Sequence, residues 1–129
     1  MAEGFPATTG DIFTAADYNG LVAYTIGAAN TNDYTAVIAD AYQVLEIMNK
    51  ATAIAFKIPT NASVAFPIGT VITVLNIGLG TCTISAVTSG TTTILSAGAV
   101  AAQPTLAQYK SAACIKTGTD TWYVVGSIA

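Results

Sequence analysis

Residues 58–76 read I-P-T-N-A-S-V-A-F-P-I-G-T-V-I-T-V-L-N, and the fold class turns on them. Pro59 has no amide proton, so a central β ladder stops at Ile58. The next residues, Thr60 to Ala65, are small and mostly polar and read as a connection. Phe66 returns to apolar surroundings, Pro67 fixes φ, and Gly69 gives a permissive backbone. From Thr70 onward Val71, Ile72, Val74 and Leu75 surround Thr73, a β-branched run expected to form a buried strand. The stretch carries no catalytic chemistry.

The same alternation recurs on both sides. Upstream, strand-like runs cover 34–39, 42–49 and 53–58, with Asn49-Lys50 marking a turn. Downstream, Asn76 to Gly80 reads as a hairpin or bulged turn, because two glycines lie between β-rich runs. Runs over 81–87, 91–95, 106–116 and 121–128 follow. The turn signals between them are Ser89-Gly90, a small-residue loop at 96–104, and Thr117 to Asp120. Short strands closely spaced predict an all-β fold, an antiparallel β-sandwich or barrel over residues 34–129. No internal repeat is apparent.

Residues 1–33 read differently. Met1 to Phe13 has no packing period and reads as an extended arm. Thr14 and Asp17 resemble a capping box with the shorter acid, so a short helix is expected over 15–27. Tyr18, Leu21 and Val22 fall on one face of it. Residues 28–33 read as a link.

The chain has 129 residues, enough for one domain with a real core. Charged residues make up 9% of it, against roughly 25% in an ordinary soluble domain. Seven acids and four lysines cannot cover a monomer's surface, so much of that surface is expected to be covered in an assembly. No apolar run is long enough for a membrane helix, and the N-terminus lacks the basic region of a secretory signal. The lysines (Lys50, Lys57, Lys110, Lys116) are scattered, leaving no basic patch for nucleic acid. Histidine is absent, which removes His-based triads and metal sites. No acid pair suits glycoside hydrolysis, and no enzyme activity or cofactor is expected. Cys82 and Cys114 sit in apolar strand patterns and read as buried thiols, with a single disulfide as the alternative. Asp17 reads as a helix-start residue and Asp120 as a turn residue. Trp122 alternates with Val124 and reads as core. Trp122, Tyr123 and Tyr109 are also candidates for stacking on sugar.

Three segments taken together resemble a β domain of tailed-bacteriophage virion proteins, found in tail-fibre and head-fibre-like proteins. They are Y-T-A-V-I-A-D-A at 34–41, I-P-T-N-A-S-V-A-F-P-I-G-T at 58–70 and K-T-G-T-D-T-W-Y-V-V-G at 116–126. The prefix I-F-T-A-A-D-Y-N-G-L at 12–21 is similar to the attachment segment of such proteins. The resemblance implies a virion surface protein, made in the host cytoplasm and oligomeric, with a homotrimer expected. With no shaft repeats, the expectation is a capsid decoration (cement) protein that binds the major capsid protein across neighbouring shell subunits. The alternative is a tail-fibre or receptor-binding adhesin that reads host glycan. Phe5 and Phe13 in the arm and Tyr18, Leu21 and Val22 on the helix are the expected contacts to capsid or oligomer.

Overall fold

The computed structural model describes residues 15, 23–97 and 103–128. Ten strands lie within them: β1 (Thr25–Asn30), β2 (Tyr34–Thr35), β3 (Val44–Met48), β4 (Ile54–Ile58), β5 (Val71–Asn76), β6 (Cys82–Ala86), β7 (Thr93–Ser96), β8 (Thr105–Leu106), β9 (Lys110–Gly118) and β10 (Thr121–Gly126). The all-β expectation holds. Two sheets form, with orders β1-β3-β5-β9-β10-β7 and β2-β4-β6-β8.

The antiparallel expectation needs correction. β1, β3 and β5 pair in parallel, as do β2, β4 and β6, and β7 is parallel to β10. Only β5–β9, β9–β10 and β6–β8 are antiparallel. Successive strands from β1 to β6 alternate between the two sheets. The segments joining them are therefore corners of a winding chain, and within this run strands that follow one another in sequence do not pair. Leu45 faces Thr73 and Ile54 faces Cys82, the same offset of 28 residues in both sheets. The preceding coil is shorter, with Thr25 opposite Val44 and Tyr34 opposite Phe56.

Gly78 and Gly80 show how one turn of the winding sits on the last. The hairpin expected at 76–80 is instead a corner between sheets, stacked on the corner at 50–52. A Cβ on Gly78 would overlap the main chain of Lys50, and one on Gly80 the carbonyl of Thr52. The Gly80 amide donates to the Lys50 carbonyl at 2.9 Å, so the ladder continues around the corner. Asn76, fully buried, fastens this corner from inside. Its Nδ2 donates to the carbonyls of Gly80 and Leu106, and its Oδ1 accepts from the Gly78 amide. This leaves few buried polar groups of the turn unpaired.

The helix expected over 15–27 is also corrected where it can be followed. Ala15 is helical, residues 16–22 lie outside the described part, and Thr25 to Gly27 belong to β1. Among the described residues after that, the helical structure is a single 3-10 turn, Ile38–Ala41. Pairing with β3 wins over a weak local helix preference: the Thr25 amide reaches the Gln43 carbonyl and the Asn49 amide reaches the Asn30 carbonyl, both at 2.8 Å. The β structure therefore starts before the expected boundary at 33–34. One buried core cluster draws on both sheets, with Phe56, Ile58, Ile84 and Leu106 from the smaller and Ile72, Val74, Trp122 and Val124 from the larger.

Candidate interaction surface

The stretch 58–70 and the segment 116–126 meet in one buried cluster. Lys116 points inward on β9, as Ala112 and Cys114 do, and its ammonium is buried. It donates to the Asn61 side-chain oxygen at 2.6 Å and to the Phe66 carbonyl at 2.7 Å. Asp120 accepts from the Asn61 amide at 2.8 Å. Phe66 packs edge-on against Trp122, ring centres 5.5 Å apart. Burial pushes the Lys116 pKa down, and the nearby Asp120 charge partly restores it. This cluster pins the long β4–β5 connection to β9 and β10. Its work is structural, and Trp122, 1% exposed, presents no face to a sugar.

A second buried polar cluster joins β1, β2, β3 and the 3-10 turn. Asp40 Oδ2 accepts from the Tyr34 hydroxyl at 2.8 Å and from the Val37 amide at 2.9 Å. Glu46 Oε2 accepts from Asn30 Nδ2 at 3.0 Å. Burial raises the Glu46 pKa from 4.5 to about 7, helped by its hydrogen bond to Asp40 and opposed by the Asn30 bond. Tyr34 is raised as well, first by burial and then by Asp40. A carboxyl whose folded pKa lies above its unfolded value binds its proton better when folded. Its stabilisation is complete below about pH 4.5 and is lost as pH rises through about 7. The wild type is thus expected to lose stability across that window. Glu46→Gln is expected to flatten the slope and to melt no lower than the parent at pH 8, as read by thermal denaturation at several pH values. Equal slopes in the two proteins would remove Glu46 as the cause.

Cys82 and Cys114 are free and buried, matching the thiol reading. Burial pushes their pKa values up to about 11 and about 12, which makes both poor nucleophiles. No group of three or more acidic or cysteine side chains suited to a metal occurs among the described residues.

The outward faces of the two sheets differ in chemistry. On the four-stranded sheet one row is Thr35, Lys57 and Ser85, and the next is Ala55, Thr83 and Thr105. Lys57 there approaches Asp33 at 3.9 Å. On the six-stranded sheet the central row runs Ile26, Leu45, Thr73, Ala113 and Val125. Beside it run Val71, Ile115, Tyr123 and Leu95 on one side. On the other run Ala29, Ile47, Leu75 and Ser111. These rows hold no charged side chain. Ile26 is 62% exposed, Val125 49% and Tyr123 44%. An apolar face this wide is the mark of a surface that is covered in use.

The expected contact residues Phe5, Phe13, Tyr18, Leu21 and Val22 all lie outside the described residues. Sequence reading missed the sheet face, although its signal was present. Leu45 and Ile47 alternate with buried Glu46 and Met48, so both faces of β3 are largely apolar. Tyr109, 74% exposed with φ at +64°, stands apart on the loop before β9. No protein-family model, curated protein or solved structure matches the chain.

Proposed function

We propose that the chain is a non-enzymatic structural protein of a tailed-phage virion, a capsid decoration protein working as a homo-oligomer. The observation that carries this reading is the uncharged, exposed face of the six-stranded sheet. Asp40, Glu46 and Lys116 are buried, and Asp33 and Lys57 pair with each other. So little exposed charge suits a subunit that is largely covered on a particle surface better than one that diffuses freely. We read the two sheets as the layers of a sandwich. Residues 1–22 are the proposed attachment segment to the major capsid protein. Binding there would bury apolar surface across neighbouring shell subunits, and many repeats of a small contact would stiffen a shell that must hold packed DNA.

A second reading, a fibre-type adhesin for host glycan, is favoured by Tyr109. An exposed aromatic ring on a loop offers a flat surface for stacking on sugar.

A chain beginning at residue 23 keeps every strand described, so it tests the attachment segment separately from the fold. This variant is expected to show the parent's β circular dichroism and to lose binding to heads that lack the protein. Full occupancy by the shortened chain would move the capsid contact onto the β region.

A further inference from the structure

The occupant of the uncharged sheet face can be argued from its chemistry and size. We propose that the outward face of the six-stranded sheet is where copies of this chain pack on one another. The inference rests on the reading of the chain as an assembly subunit, and it assigns the partner of that surface.

Charge is the first argument. A partner bringing Asp, Glu, Lys or Arg to this face would bury charges that find no counter-ion, which is costly. A second copy brings the same uncharged rows, so nothing ionic is left stranded. The hydroxyls of Thr73 and Ser111 stand within these rows and can pair across a symmetric contact. Size is the second argument. Six strands about 4.8 Å apart, each lending about five residues of about 3.3 Å, present on the order of 500 Å². Two such faces bury about 1,000 Å² in total, the lower bound for a stable, specific interface. The opposite sheet shows the contrast: its outward Thr, Ser and Lys side chains are those of a surface left in water.

Light scattering of the full chain at micromolar concentration tests the proposal. The wild type is expected at a multiple of 13.1 kDa. Val125 is half-exposed, so Val125→Lys costs a single copy little, yet it would place an unpaired charge in the contact. The variant is expected at the mass of one chain with an unchanged β spectrum. A wild type at the mass of one chain, or a folded variant at the wild-type mass, overturns the proposal. Tyrosine nitration of the native wild type gives an answer even if the variant fails to fold. Tyr109 is expected to react and Tyr123 to be protected. Equal reaction at both overturns the proposal. A wild type that is monomeric yet mounts on particles would remove this inference and leave the virion reading. A multimer absent from particles would do the reverse.

Discussion

Trp122→Ala is expected to destabilise the protein by about 3–5 kcal/mol, a large share of what a domain of this size has to lose. Trp122 is the largest of the fully buried side chains and the inward residue between Tyr123 and Thr121 on β10. It pairs across the sheet with Lys116 on one side and Ile94 on the other, and Phe66 meets it edge-on. Removing the indole leaves a cavity lined by the larger sheet and by the pinned β4–β5 connection, and neither can collapse freely. Urea denaturation measures the loss. A variant that melts with the parent would show that this ring does not hold the core together.

Lys116→Ala is expected to cost about 2–5 kcal/mol, because it strands the two acceptors the ammonium satisfies, at about 1–3 kcal/mol, and leaves empty the volume of a long buried side chain. Its ammonium satisfies the Phe66 carbonyl and the Asn61 side chain, which lie in the connection that has no sheet of its own. Lys116→Met keeps most of the volume but still strands the Phe66 carbonyl, at about 1–3 kcal/mol. The expected order of urea midpoints is wild type, then Met, then Ala. An alanine variant as stable as the parent would refute the pin. Trp122 and Lys116 are cross-strand neighbours sharing the same loop, so the double variant should cost less than the two losses added together.

Most strands after residue 33 were legible, β1 was not, and neither was the pairing. Pro59 does end β4 at Ile58, and Gly69, with φ at +95°, does turn the chain into β5. The glycines at 78 and 80 misled, because a tight hairpin and a stacked corner both call for glycine, for different reasons. A two-residue hairpin needs positive φ. Here neither glycine has it; each is needed because a Cβ would strike the corner below. The winding was invisible because its coils differ in length and its stacked positions differ chemically: Glu46 lies beside Val74 and Met48 beside Asn76. Position in the winding is kept by main-chain pairing, which leaves no mark on side-chain identity. Lys116 could have been found. Period-two alternation places it on the same face as Ala112 and Cys114, and a lysine on a buried face needs a polar partner. The acid pair at Asp40 and Glu46 could not, since only the 3-10 turn brings the two together.

The copy number of this chain in purified particles tests the central claim most directly. Quantitative mass spectrometry of gradient-purified virions gives its ratio to the major shell protein. A decoration protein is expected at a fixed ratio of the same order as the shell subunits, and to stay with emptied heads. A few copies per particle, travelling with tails once heads and tails are separated, would contradict the account and favour a fibre.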